Sequence, residues 1–571
     1  MKMNGSDIVA RALEDEGVPF AFGIPGTHNI ELYDALARST KVRPVLVTDE
    51  QSASFMADGV ARASGKLAAV NVVPGAGLTH ALSGIAEAYL DGIPMLVLAC
   101  GIRQDTGKAY QLHAVDQIAI ARPVTKAQFH LTDASQTYAT IRRACRVARA
   151  APAGPVIVEV PAEQYLFRYD TELAFRDESP KPVGARAEDL AHICDLLARS
   201  RRPLLYLGAG AGNAGRALVE LAERLNAVVA TTFTGKGIFP EKHPLWLWCG
   251  FGEAAPSALR EIAASCDLTL AIGCRFAEVS TGSYGLQPPG PLAHVDVDPS
   301  VFQKNYPAEV TVTADAGQFV ADLLQCVPAR AVDDTLRRSI AAAHDQVWRA
   351  WEVTPGAGPV SPPHLLKTLQ RVTGPDTIYT TDSGNGTFLA MECLRLEQPR
   401  CFLAPVDYSC MGYAVPAAIG AALACPGKQV VALAGDGAFL MTGLELLTAA
   451  QLQVPVMIVV LRDRELAQIA QFQDIALSRK TCSELANYDL AQLCRGMGVD
   501  HVALGSNDKV ETTLTQALAT NRSGRPIVVE AAIDYSQKTY FTAGVVRTNL
   551  GRLPWTDRIR FVVRALARKV T

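Results

Sequence analysis

The 571-residue chain contains no Cys-x-x-Cys pair, and its thirteen cysteines are scattered. A zinc site or a disulfide framework is therefore not expected, and a reducing, cytoplasmic compartment fits better. Long apolar runs are missing. Val430 to Ala434 and Val454 to Leu461 have the length of strands, too short to cross a bilayer, so no membrane partner is expected. The first residues, Met1-Lys2-Met3-Asn4-Gly5, lead straight into an amphipathic pattern with no signal-peptide core. Excess charge of one sign is also missing. A net charge of -3 with 19% charged residues forces no basic face, which argues against nucleic acid as a partner. There is no low-complexity tract and no short repeat.

What is present is a globular composition, 49% hydrophobic, on a chain too long for one core. Short β-rich runs alternate with Ala- and Leu-rich helical patterns, which predicts an α/β protein with doubly covered parallel sheets. Three such units are expected, over residues 1–168, 186–328 and 362–540. A polar stretch from Tyr169 to Ala185 reads as one linker. Asp333 to Pro363, with Trp348, Trp351 and a Pro/Gly cluster, reads as a second connector. The tail, residues 541–571, carries Arg547, Arg552, Arg558, Arg560, Arg564, Arg568 and Lys569. It reads as a helix with a solvated basic face, or as a lid for an anionic substrate.

The sharpest chemical signal is Gly435-Asp436-Gly437, directly after the apolar strand Val430-Val431-Ala432-Leu433-Ala434. Glycines at the carboxyl end of a parallel strand let main-chain N–H groups approach a phosphate, and a helix opening at Ala438 favours an anion. Asp436 offers the hard oxygen that Mg²⁺ prefers. A second buried strand, Val456 to Leu461, ends in Arg462-Asp463-Arg464-Glu465. A strand–helix–strand unit brings both strand ends to one sheet edge, so Asp436 and Asp463 can share a cation.

The segment from Gly435 to Asp474 resembles the diphosphate-binding motif of thiamine diphosphate enzymes, specifically the acetolactate synthase, pyruvate oxidase and benzaldehyde lyase group. The resemblance extends over nearly the whole chain and implies a pyrimidine-binding, a central Rossmann-like and a diphosphate-binding domain. It implies thiamine diphosphate and Mg²⁺, with Gly435, Asp436, Gly437 and Ala438 at the diphosphate and Asp436, Asp463 and Glu465 at the metal. Arg462-Asp463 stands where the family usually has Asn-Asn; Arg462 and Arg464 are expected to offset the added charge.

Other blocks fall into place on the same resemblance. Val47 to Gly59 matches the glutamate segment, which makes Glu50 the group that hydrogen-bonds the cofactor's pyrimidine and activates its thiazolium C2. A buried carboxylic acid suits that task. Ser409 to Ala418 places Met411, followed by Gly412, where a bulky residue keeps the cofactor bent. Thr381 to Thr387 aligns with a diphosphate loop, with Asn385 and Thr387 as donors. Gly23 to Asn29 occupies the loop that faces the reactive carbon, so His28 is a candidate acid/base, as are His113 and Gln111 on the loop Gln111 to Gln117. Val73 to His80 resembles the family's GPG-x-x-N loop, with Ala76 for Pro and His80 for Asn. Gln468, Ile469 and Phe472 are expected at the acceptor pocket.

The implied reaction is decarboxylation of a 2-oxo acid such as pyruvate and addition of the acyl unit to a second carbonyl compound. A lyase or ligase of 2-hydroxy ketones or 2-hydroxyacyl-CoA, a simple 2-oxo acid decarboxylase and a silent binding subunit remain alternatives. The implied partners are a small 2-oxo acid or aldehyde and further copies of the chain, as a homodimer or homotetramer. The central loops Thr234 to Pro240, Gly273 to Phe276 and His294 to Pro299 resemble those that hold FAD in relatives, which leaves room for FAD.

Overall fold

The computed structural model describes residues 2–176, 182–352, 356 and 358–560. Three six-stranded parallel sheets carry the chain, each sandwiched by helices. The first has the order Arg43–Leu46, Phe20–Gly23, Ala69–Val72, Met95–Gly101, Pro155–Pro161, Ala127–His130. In chain order that is 2-1-3-4-6-5. The third sheet repeats it with Phe402–Leu403, Ile378–Thr381, Val430–Gly435, Met457–Arg462, Ile527–Ala532 and Asp500–Leu504. The central sheet runs Trp246–Cys249, Val228–Thr231, Pro203–Leu207, Leu268–Ile272, Leu292–Asp296, Val310–Thr313. Its order, 3-2-1-4-5-6, is that of dinucleotide-binding folds. The expected α/β architecture of three doubly wound parallel sheets is therefore the observed one. The strands are apolar on both faces because helices cover both sides.

No helix of the described residues is long and apolar enough to cross a membrane. Three readings from sequence change. Arg168–Asp170 is not linker but an antiparallel partner of Lys2–Asn4. Asp334–Ala350 is a regular helix inside the second connector. Its buried face is Leu336, Ile340, Ala343 and Val347, a helical spacing masked by the nearby Trp and Pro/Gly residues. Cys194 and Cys326 are joined as a disulfide, 132 residues apart, a pairing that no local spacing reveals. The tail residues 561–571, with Arg564, Arg568 and Lys569, lie outside the described residues. Of the earlier part, Arg547 pairs with Glu253 at 3.1 Å and Arg552 lies over Tyr284, both on the central domain.

The seam between the first and third units positions the site. Helix Glu50–Ser64 packs on helix Ala414–Ala424 with almost no gap. A Cβ at Gly59 would meet the Ala417 carbonyl oxygen at 2.3 Å, and one at Gly420 would meet that of Met56 at 2.2 Å. Since Gly59 faces Ala417 while Gly420 faces Met56, the two helices run antiparallel.

Candidate active site

In the third sheet the strand order reverses between Ile378–Thr381 and Val430–Gly435, and such a switch point opens a crevice at the carboxyl ends. Gly435 stands level with Leu461 on the neighbouring strand, so Asp436 and Asp463 emerge side by side. A cavity of about 120 Å³ sits there, lined by Asn385, Met411, Gly435, Asp436, Gly437 and Ala438 from the predicted set, and by Asp463, Glu465, Gln468 and Ile469. Ten separately predicted residues therefore meet in one crevice.

The loops are locked by main-chain hydrogen bonds. Asp436 accepts from the N–H groups of Gly437 at 2.9 Å and Arg464 at 2.8 Å. Arg464 has φ 60°, a left-handed conformation that turns its N–H inward. Burial raises Asp436 above the usual carboxylate range, against these bonds. Asp463 is pushed up to about 7, by burial first and then by Asp436 and Glu465. Two carboxylates crowded in one crevice are a donor set for a hard divalent cation.

Three of the predicted side chains have other partners in this structure. The Arg462 guanidinium donates to Glu530 at 2.5 Å and to the Tyr488 carbonyl and stacks on the Tyr488 ring, while its charge still lowers Asp436. The Thr387 hydroxyl is spent inside its own turn, 2.5 Å from the Asp382 carbonyl oxygen, and Thr387 does not line the cavity. Gln111 braces its own loop, its amide donating to the carbonyls of Arg103 at 2.8 Å and Lys108 at 3.2 Å. Phe472 is also not among the cavity's lining residues. The Glu465 carboxylate is held by Lys480 at 2.6 Å, which leaves its main-chain carbonyl for a ligand.

Two carboxylates that sequence reasoning passed over hold Met411 in place. Asp382 accepts from the N–H groups of Gly412 at 2.8 Å and Ala414 at 2.9 Å; burial raises it to about 7. Glu87, from the first domain, accepts from Cys410 N–H at 3.1 Å. Both flanks of Met411 are thus fixed, and Gly412 takes φ 87°, which suits glycine. The signal was in view as Thr381-Asp382-Ser383, but nothing local says that a buried Asp would reach a segment thirty residues away.

The first domain gathers the other half at the carboxyl edge of its own sheet. Glu50 is 7% exposed and opens its helix behind Asp49, whose side chain caps Gln51 N–H. His80 Nδ1 lies 3.4 Å from Glu50 Oε2. The rings of His28 and His113 meet edge to face at 5.5 Å. Burial, then His113, lowers the pKa of His28 below the ordinary histidine value, which favours a neutral, proton-accepting imidazole. The Gly75–Gly77 turn lies between the two groups: a Cβ at Gly75 would stand 2.9 Å from the His113 carbonyl oxygen, and one at Gly77 would stand 3.1 Å from Glu50 Oε1.

Family models match in the same three blocks. Residues 3–120 match the thiamine pyrophosphate enzyme N-terminal TPP binding domain, 190–323 the central domain and 382–531 the C-terminal TPP binding domain. The chain is 31% identical over 561 residues to the "Probable acetolactate synthase large subunit" of Methanocaldococcus jannaschii, covering 93% of this chain and 92% of that one. The chain belongs to the thiamine diphosphate enzyme family. Among relatives of this thiamine diphosphate enzyme, acetolactate synthase isozyme 3 large subunit of Escherichia coli is 29% identical, with 94% and 96% of the chains covered. The acetolactate synthase large subunit of Corynebacterium glutamicum is 30% identical, with 93% and 86% covered. The protein is an acetolactate synthase-like enzyme that forms carbon–carbon bonds with thiamine diphosphate.

The residues of the crevice fit that cofactor. Asn385 has a buried side-chain oxygen with no hydrogen-bond partner. A Cβ at Gly384 or Gly435 would meet nothing within 4 Å, so both main-chain segments face open space.

Proposed function

We propose that this enzyme uses Mg²⁺ to anchor its cofactor, decarboxylates a 2-oxo acid with pyruvate as the donor, and adds the acyl unit to a second carbonyl compound. The observation that carries this reading is the meeting of Asp436, Asp463 and the unpartnered Asn385 oxygen at one switch-point crevice. Asp436, Asp463 and the Glu465 carbonyl would hold the metal; Gly435, Gly437 and Ala438 would face the diphosphate. When bound, thiamine diphosphate supplies the nucleophilic carbon that attacks the donor's carbonyl. Met411, half-buried with its neighbours pinned, would limit the room left for the cofactor in the crevice. Glu50 holds and releases the proton on the pyrimidine side. His28 accepts and returns a proton at the substrate oxygen, with His113 beside it. Gln468 and Ile469, on the helix Ala467–Leu477, flank the crevice where an acceptor would enter.

The test is incubation with thiamine diphosphate, Mg²⁺ and pyruvate, with and without a panel of aldehydes and acyl-CoAs. Release of CO₂ from pyruvate with formation of an acceptor-dependent product is expected. Inertness toward pyruvate with cleavage of a 2-hydroxyacyl-CoA would replace this reading by the lyase. His28→Ala is expected to slow the steps after carbonyl attack by about a hundredfold, while C2 proton exchange stays near wild type. Pre-steady-state trapping separates the two; the reverse pattern removes His28 from this role.

FAD fits the central domain poorly. A cavity of about 750 Å³ lies at its switch point. Its lining cations are Lys126 and Arg275. Lys126 is held by the carbonyls of Val147 and Ala150, and Arg275 by Asp407 at 2.7 Å and the Leu90 carbonyl. The turn at Gly208 and Gly210 packs on Gly273 instead of leaving a phosphate cradle.

The reading also implies at least a homodimer. Along the antiparallel helix pair, Glu50 lies six residues before Met56, and Ala414 lies six before Gly420. At 1.5 Å per residue, Glu50 and the Met411 end of one chain are roughly 18 Å apart. One pyrimidine ring cannot touch both, so Glu50 serves a crevice built by a second copy. Exposed Leu440, Met441, Leu444 and Leu447 beside the crevice are the apolar surface such a copy would cover. Sedimentation of the active enzyme should show a dimer or tetramer; an active monomer would end this assignment.

A further inference from the structure

A groove of about 670 Å³ lies at the seam of the central and C-terminal domains, walled chiefly by Lys242, Trp348, Lys367, Gln370, Arg371 and Arg395. Four of these six are cations, and among the described residues no carboxylate lines it. On a chain with net charge -3 that is not a sample of the average surface. The groove is also remote from the catalytic crevice. Gly374 and Pro375, on its floor, precede strand Ile378–Thr381, whereas Asp382 and the crevice follow it. The two openings therefore lie at opposite edges of the sheet, roughly 13 Å or more apart at about 3.3 Å per residue.

Three of the cations have no carboxylate partner in the groove, and among the described residues only Arg371 has an ion-pair partner, the exposed Glu511. The Arg395 guanidinium lies between the indoles of Trp246 at 4.9 Å and Trp348 at 4.8 Å. It donates to the Glu241 carbonyl at 3.0 Å and lies 2.8 Å from His344 Nδ1. Its Nε is buried with no hydrogen-bond partner. Gln370 grips the Arg395 main chain, donating to its carbonyl at 2.7 Å and accepting its N–H at 3.1 Å. Burial lowers Arg395 to about 10 and also lowers Lys367, whose ammonium lies 4.3 Å over Trp348. His344 is lowered to about 4, by burial and then by Arg395, so it adds no charge.

The nearby acids are outside the groove or already engaged. Glu511 pairs with Arg371 at 2.9 Å where both are about 60% exposed, a weak kind of pair. The Glu397 carboxylate accepts the Lys242 main-chain N–H, and Glu241 is bound to Lys236. Glu352 acts on Lys367, and Asp345 on Arg395, without lining the opening. Neither Lys242 nor Lys367 has an ion-pair partner among the described residues. A cationic groove with a buried, unpartnered guanidinium N–H is short of an anion.

We propose that this groove binds a small anion carrying two phosphate monoesters, of the sugar bisphosphate class, at a site separate from the catalytic crevice. Each phosphate monoester carries about -1.5 to -2 charges at pH 7, so two of them match the three cations without an ion pair together with Arg371, whose exposed pair with Glu511 is weak. One inorganic phosphate would leave half the charge and most of the volume unfilled.

The experiment is calorimetric titration of the enzyme, loaded with thiamine diphosphate and Mg²⁺, with fructose 1,6-bisphosphate. Inorganic phosphate and sulfate are run alongside. Saturable binding is expected, at least tenfold tighter than either small anion. It should weaken at least tenfold in the Lys242→Gln/Lys367→Gln double variant and fall with added salt. Tryptophan fluorescence should change on binding, and the change should vanish in Trp348→Phe. If the double variant does not fold, Lys242→Gln alone, an exposed change, should still weaken binding severalfold. No saturable binding, equal binding of sulfate, an unaltered affinity in the folded lysine variants, or a fluorescence response that survives Trp348→Phe would each overturn the proposal. None of these readouts depends on the carboligase reaction.

Discussion

Glu50→Gln should bind thiamine diphosphate and keep the fold, yet exchange the cofactor's C2 proton at least a hundredfold more slowly than wild type. The size follows from the range that a positioned acid or base contributes to a proton transfer. Glutamine keeps the length and the hydrogen-bonding reach, but an amide cannot ionise. The surroundings explain why little else should change. The carboxyl is 7% exposed, at the first turn of a helix whose packing rests on Gly59 and Gly420, not on the Glu50 side chain. Its neighbours are His80 at 3.4 Å and the Gly77 turn, both in the first domain. Loss of exchange with unaltered cofactor affinity and unaltered sedimentation is the expected set of results. Near-wild-type exchange in the variant would remove Glu50 from cofactor activation.

How far the sequence reaches can be seen by comparing Asp436 with Asp382. Asp436 announces itself because a glycine stands on each side of it after an apolar strand, and strand-end chemistry is local. Its distance along the chain from Asp463 is bridged by a rule, since strand–helix–strand units put both ends on one edge. Asp382 has no such rule. Its work, holding Gly412 and Ala414, depends on a return of the chain that only the folded molecule displays. Thr387 and Gln111 show a related limit. A residue type and a family position suggest a donor, but competition from carbonyls within the same turn decides where the hydrogen goes. Arg462 shows the same competition between charges: its guanidinium pairs with the neighbouring Glu530 carboxylate. The three sheets were legible because apolar runs and their spacing are local properties. The strand Arg168–Asp170 was not, because among the described residues it pairs with Lys2–Asn4, far away in sequence.

The second large effect is expected at Asp463, where an acid stands in a place the family usually gives to Asn. Asp463→Asn should remain active, while Asp463→Ala should require at least tenfold more Mg²⁺ for half-maximal cofactor binding. Two terms compete at this position. A carboxylate attracts a divalent cation more strongly than a neutral amide oxygen does, and it repels the equally anionic diphosphate. In sequence, Arg462 looked able to cancel the repulsion. In the structure its guanidinium is bound to Glu530 and to the Tyr488 carbonyl, so its charge reaches the crevice only from a distance, where it still lowers Asp436. The charge of Asp463 is therefore offset only in part. Without a cation, burial and the repulsion of Asp436 and Glu465 raise Asp463, against the Glu465 N–H that it accepts. With a divalent cation held by both aspartates, the attraction would exceed the repulsion, since the cation would be shared by the carboxylates and the diphosphate. The metal term thus wins, and asparagine loses some metal affinity but also removes the repulsion, which keeps cofactor binding near wild type. Alanine loses the ligand oxygen altogether. It also frees the Glu465 N–H that Asp463 Oδ1 accepts at 3.3 Å, so the carbonyl proposed as the third ligand is less firmly placed. Cofactor affinity measured against Mg²⁺ concentration for wild type and both variants separates these terms. An alanine variant that titrates like wild type would mean that Asp463 does not touch the metal, and that Asp436 holds it with other groups.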